Sequence, residues 1–115
     1  MKLNVRDEND VTVISPTGSL VLGPPEDAMY ETLARLLSEG RTRLIIDLGG
    51  LKRIDSSGIE CLLVASQRAR EQGGDAKLAR VPPRFQTLLD IAHLSGVLHI
   101  YQEVADAVSS YTRPS

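Results

Sequence analysis

The chain has 115 residues, enough for one ordinary domain and too few for two that each bury a core. With 42% hydrophobic and 24% charged residues it carries the apolar surface needed to fold, which excludes disorder as its main state. Thirteen Lys and Arg against fifteen Asp and Glu leave a net charge of -2, without the basic excess that drives binding to phosphate backbones, so direct contact with nucleic acid is not expected.

The segment Met1 to Asp10 is charged at Lys2, Arg6, Asp7, Glu8 and Asp10, where a signal peptide needs an apolar run. No apolar stretch approaches the roughly 20 residues of a membrane span. Leu3 and Val5, then Val11 and Val13, alternate with polar residues around Asp7-Glu8-Asn9-Asp10, predicting two strands joined by a charged turn. After Gly18 and Gly23, Pro24 and Pro25 suit a helix start, and Met29, Leu33, Leu36 and Leu37 form one apolar stripe before Gly40. Leu44-Ile45-Ile46, followed by Asp47, is the unbroken run of a strand covered on both faces, hence central in the sheet.

From Ser56, residues Ile59, Leu62, Leu63 and Ala69 have helical spacing as far as about Gln72, with Gly73-Gly74 ending the pattern. Ala76 to Val81 predicts a further strand, and after Pro82-Pro83 a third helix carries Phe85, Leu88, Leu89 and Ala92. Val97 to Tyr101 is a weaker strand, and Val104, Val108 and Tyr111 define a last helix. One domain is expected over 1–112, with a frayed tail at 113–115. Strands alternating with such helices predict an α/β class: a mixed, mostly parallel sheet opened by an antiparallel hairpin, with helices packed on it.

The most informative stretch is Ile54-Asp55-Ser56-Ser57-Gly58-Ile59-Glu60, at the start of the second helix. Asp and Ser there can accept hydrogen bonds from the unpaired N–H groups of the first turn, and capping alone would account for them. Cys61, the single cysteine, closes no internal disulfide and with two histidines makes no usual structural zinc site. A reducing cytoplasm is the expected compartment. Beside Leu62 and Leu63, Cys61 reads as a small buried hydrophobe.

Other chemistries fit poorly. A serine hydrolase needs small residues on both sides of its nucleophile, yet Ile54 stands at the first glycine position before Ser56. Asp90 and His93 fall three apart on one predicted helix, pointing the same way rather than completing a triad. His93 and His99 read as surface or helix-end residues, and no phosphate-cradling Gly-rich loop ending in Lys-Ser/Thr is present. The pairs Arg41 with Arg43, Arg68 with Arg70 and Arg80 with Arg84 read as solvated faces. The helix from Ser57 to Gln72, with Glu60, Gln67, Arg68 and Glu71 outward, is the better docking surface.

Asp55-Ser56-Ser57-Gly58, preceded by Gly18 and followed in order by Gly73-Gly74, Val81-Pro82, Leu89-Asp90, Leu94 and Gly96, resembles the STAS domain of anti-sigma factor antagonists over nearly the whole chain. The resemblance implies a STAS-type single domain with no enzymatic activity and no cofactor. It implies Ser56 as the serine phosphorylated by a partner anti-sigma kinase, which supplies ATP and magnesium, with Asp55, Ser57, Gly58, Ile59 and Glu60 forming the phosphorylation loop and partner surface. Unphosphorylated, such a protein binds the anti-sigma factor and frees a sigma factor; a phosphatase would reset it. The phosphate would switch docking rather than folding, because a helix N-terminus accommodates an anion while Asp55 and Glu60 make the partner surface more repulsive.

The sequence also departs from this pattern. Phosphorylated members usually carry acidic residues directly after the strand-two glycine and two positions on, where this chain has Ser19 and Val21, and Glu60 stands where relatives have a small residue. Glu26 and Asp27 could supply acid from the next helix, although no sequence argument places them at the loop. The missing acidic pair supports an alternative, a constitutive STAS scaffold subunit of a lipid-transport complex or signalling particle.

Overall fold

The computed structural model describes residues 1–112. The opening hairpin pairs β1 (Lys2–Glu8) with β2 (Val11–Leu20), in register from Lys2↔Thr17 to Glu8↔Val11. Asn9 (φ 51°) and Asp10 (φ 65°) take the left-handed conformation that a tight hairpin turn requires, which Asn and Asp tolerate better than most residues. The turn is thus shorter than the four polar residues suggest. Asp7 and Glu8 continue β1, and Asp7 accepts hydrogen bonds from Thr12 at 2.9 Å and Arg41 at 3.0 Å.

Helix α1 (Pro24–Ser38) starts where its prolines can sit without wasting an N–H, and its stripe of Met29, Leu33, Leu36 and Leu37 is buried. The central strand is β3 (Arg43–Asp47), as its apolar run predicts, parallel to β2 on one side and to β5 (Asp75–Ala79) on the other. Helix α2 (Ser56–Glu71) follows β4 (Leu51–Ile54), helix α3 (Pro83–Ile91) follows β5, and β6 (Ile100–Tyr101) and α4 (Val104–Thr112) close the chain. The sheet order is β1-β2-β3-β5-β6, with β4 pairing β2. Only β1 runs antiparallel to its neighbour, so the expected mixed, mostly parallel sheet is what forms.

Alternate strand residues feed two layers. Ile14, Leu20, Leu44, Ile46 and Leu78 pack with Leu33, Leu36, Leu62, Phe85 and Leu89 beneath α1, α2 and α3. Val11, Val13, Ile45 and Ala79 face the other way, onto Ala107 and Val108 of α4. Tyr111 ties α4 down, its hydroxyl 2.7 Å from the Leu44 carbonyl and 2.8 Å from that of Asp75; burial pushes its phenol pKa up.

Strand β4 is the element that the sequence does not announce. Leu51-Lys52-Arg53-Ile54 is four residues long with two exposed cations, and it pairs β2 over Gly18 to Leu20, beyond the Thr12–Ile14 stretch that pairs β3, with a register shift that leaves Lys52 without a β2 partner between Leu51 and Arg53. Arg84 of α3 caps its carbonyls, reaching Leu51 at 3.2 Å and Lys52 at 3.1 Å. The strand expected over 76–81 runs 75–79, and that over 97–101 shrinks to Ile100–Tyr101, because Val97 and Leu98 fold back onto the Leu94 carbonyl. The tail at 113–115 lies outside the described residues.

Candidate functional site

Ser56 opens α2 just beyond the carboxyl end of β4, on the side of an open α/β sheet where loops gather into sites. Its side chain is exposed, and among the described residues its hydroxyl makes no hydrogen bond. The helix cap is Asp55. With extended backbone (φ -111°, ψ -173°), its Oδ1 accepts from the Gly58 N–H at 3.0 Å. Capping therefore explains Asp55 and leaves Ser56 unexplained by structure.

The second carboxylate oxygen of Asp55 reaches out of the helix, accepting the Leu22 N–H at 3.0 Å. Asp55 thus clamps the loop between β2 and α1 to the first turn of α2. These N–H groups, Leu22 first and Gly58 next, hold the carboxyl below its ordinary 3.8. A lowered pKa means that the clamp contributes stability above the ordinary carboxylate range and loses it as pH falls through the folded value. Asp55→Ala is expected to lower the melting temperature at pH 7, with the gap to wild type closing below about pH 4 in a pH series of thermal melts. A gap that persists unchanged at pH 3 would show that the charge plays no part.

Gly58 is required by close approach. A Cβ there would overlap the Leu20 carbonyl oxygen and come within 2.6 Å of Ile54 Cγ1. Only glycine lets the first turn of α2 settle against the end of β2. Leu62 beneath it is fully buried, and Ile59 is half-buried against the same core. Ser56 and Glu60 are exposed and Asp55 and Ser57 half-exposed, with Gly58 buried beneath them, Ile59 packed against the core and Leu22 tied alongside through Asp55.

Cys61 is fully buried, as its neighbours predict, and burial pushes its thiol pKa up. It lies against Tyr30 of α1, whose phenol is pushed up to about 12 by burial and by its hydrogen bond to Cys61, with Glu60 and Glu26 adding their fields. Glu26 stands in the first turn of α1. Ser19 lies opposite Arg53 on β4.

The remaining candidates are structural. His93 (φ 59°) has left α3, which ends at Ile91, so it shares no helix face with Asp90; the prediction of one helix holding both fails because the chain turns at Ala92. Asp90 is occupied by Ser95 and Gln86. Several arginines read as solvated are engaged: Arg70 with Asp75 at 3.0 Å, Arg80 with Asp47 at 3.4 Å, and Arg84 with β4. Asp75, 7% exposed at the start of β5, accepts from Ser66, Arg70 and the Ala76 N–H on Oδ1 and lies 3.0 Å from His99 Nδ1 on Oδ2. Nothing in the sequence marks this hub, since Ser66, Arg70 and His99 meet only after α2 packs on β5.

The fold and its loop place the chain in a known class: it belongs to the STAS domain family, which it matches over residues 2–107. It is similar to BtrV of Bordetella bronchiseptica, named an anti-sigma factor antagonist, with 28% identity over 101 residues, 88% of this chain and 84% of that one. An anti-sigma factor antagonist from Mycobacterium paratuberculosis superposes with a TM-score of 0.84 at 18% identity, covering 97% of this chain and 94% of the other. The Bacillus cell fate determinant SpoIIAA, solved in its phosphorylated form, gives 0.76 at 17% identity over 96% and 99% of the two chains. Among the described residues no helix is long and apolar enough to cross a membrane.

Proposed function

We propose that this protein is an anti-sigma factor antagonist acting in the cytoplasm, a binding protein rather than an enzyme, whose docking is switched off by phosphorylation of Ser56. The observation that carries the proposal is the division of roles at the start of α2: Asp55 takes the cap, and Ser56 is left exposed and unbonded beside it. A hydroxyl that holds nothing in place can be modified without cost to the fold. The similarity to BtrV and to SpoIIAA, a protein of the same fold solved with its phosphate, supports the same reading.

The electrostatics give the switch its sign. The Gly58 N–H at the helix start is already taken by the Asp55 carboxylate, with whose charge a phosphate on Ser56 must share that helix end. Its charge of about -1.5 to -2 projects outward, next to Asp55 and Glu60. A partner face that fits the neutral loop must then bury an added dianion or withdraw.

The test is release of transcription. A sigma factor held by its anti-sigma partner from the same genome is given the unphosphorylated chain, and transcript from the dependent promoter is measured. Restored transcription is expected with wild type and Ser56→Ala; inhibition unrelieved by wild type in every sigma and anti-sigma pair of that genome would remove the reading.

A further inference from the structure

We propose that Leu22 is the apolar anchor by which the anti-sigma factor is gripped, and that the partner receives it in an apolar socket rimmed by Lys or Arg. This rests on the antagonist reading above and names the contact that reading leaves open.

A single exposed leucine is ordinary on a protein surface. Leu22 differs in how it is held. It is 68% exposed, while Leu20 two residues earlier is completely buried and Val21 is half-buried. Its own N–H is bonded to Asp55 Oδ2, the residue that immediately precedes Ser56. On its other side Gly23 (φ 105°) turns directly into the two prolines of α1, whose fixed φ stiffens the exit. The loop therefore presents an apolar side chain on a backbone ordered from both ends, so little conformational entropy remains to be lost when a partner covers it.

At the N-terminal ends of the two flanking helices the charges are acidic, whereas the cations Lys52 and Arg53 sit on β4 before them. Glu26 and Asp27 lie in the first turn of α1, Asp55 caps α2 and Glu60 is exposed on it. An apolar knob among four carboxylates is complemented by an apolar socket with a basic rim, and acidic or neutral faces are disfavoured. The same geometry makes Leu22 a reporter of the switch, because the clamp fixes it beside the residue that would carry the phosphate.

The clamp uses the backbone N–H of Leu22, so Leu22→Ser removes the side chain and keeps the clamp, which separates docking from folding. The probe is the anti-sigma factor of the same genome that binds the unphosphorylated wild-type chain, titrated by calorimetry at several salt concentrations. Leu22→Ser is expected to weaken binding about tenfold or more with the melting temperature unchanged, and Leu22→Met to stay within about threefold. Glu26→Gln combined with Glu60→Gln is expected to flatten the salt dependence of binding. Wild type that binds while Leu22→Ser binds equally well overturns the anchor alone, and an unchanged salt dependence overturns the basic rim. Wild type that binds no anti-sigma factor of that genome overturns the antagonist reading and the anchor with it.

Discussion

Ser56→Asp is expected to weaken binding of the anti-sigma factor by about fiftyfold or more, while shifting the melting temperature by no more than about 2 °C. The two halves of this expectation come from different parts of the structure. The fold is indifferent because the Ser56 side chain is exposed and unbonded, and because Asp55 supplies the cap whatever stands at the next position. Surface substitutions of this kind stay within about 0.5 kcal/mol. Docking is sensitive because a third carboxylate joins Asp55 and Glu60 on a face that must be desolvated, and like-charge juxtaposition in an interface costs several kcal/mol. Ser56→Ala, measured beside it, should bind within about twofold of wild type. Equal binding by Ser56→Asp and wild type would favour the constitutive scaffold that the absence of acid at Ser19 and Val21 suggests.

Asp75→Ala is expected to do the reverse. At the opposite end of the parallel strands, its carboxylate gathers the Ser66 hydroxyl, the Arg70 guanidinium, the Ala76 N–H and the His99 imidazole. Ser66 is fully buried, so its hydroxyl would be left without a partner, and Arg70 would keep only its bond to the Val97 carbonyl. Orphaning buried groups costs about 1–3 kcal/mol each, discounted here because Arg70 and His99 reach solvent. A net loss of about 3 kcal/mol follows, or roughly 10 °C in melting temperature for a domain of this size. Binding by the fraction that remains folded should be unchanged, since the hub lies at the opposite end of the parallel strands from Ser56. A melting temperature within about 2 °C of wild type would show that water replaces the hub without loss.

The contrast between these two sites also marks what was legible in the sequence. The central strand, the four helices and the opening hairpin are written in local periodicity: Leu44-Ile45-Ile46 cannot be satisfied except by burial on both faces, and Met29, Leu33, Leu36 and Leu37 cannot share a face except as a helix. The loop at Asp55-Ser56-Ser57-Gly58 is legible because small and capping residues cluster where a helix begins. What the sequence could not give is whatever depends on two distant segments meeting. Strand β4 exists because the end of β2, past its pairing to β3, finds Leu51 to Ile54, and the Asp75 hub because α2 lies on β5. The clamp that Asp55 adds to its cap is of the same kind, for it turns on the Leu22 N–H, 33 positions away. His93 was misplaced for a local reason, a left-handed residue just past the end of α3.

The central claim is that Ser56 is the residue a kinase modifies, and the most direct measurement is phosphosite mapping by mass spectrometry. The purified chain is incubated with ATP, magnesium and each anti-sigma-type kinase of the same genome. A phosphate on Ser56, absent from Ser56→Ala and accompanied by dissociation of the complex, is the expected result. No phosphate on Ser56 with any of these kinases, while a stable complex still forms with another protein, would contradict the switch and leave the exposed serine without a role.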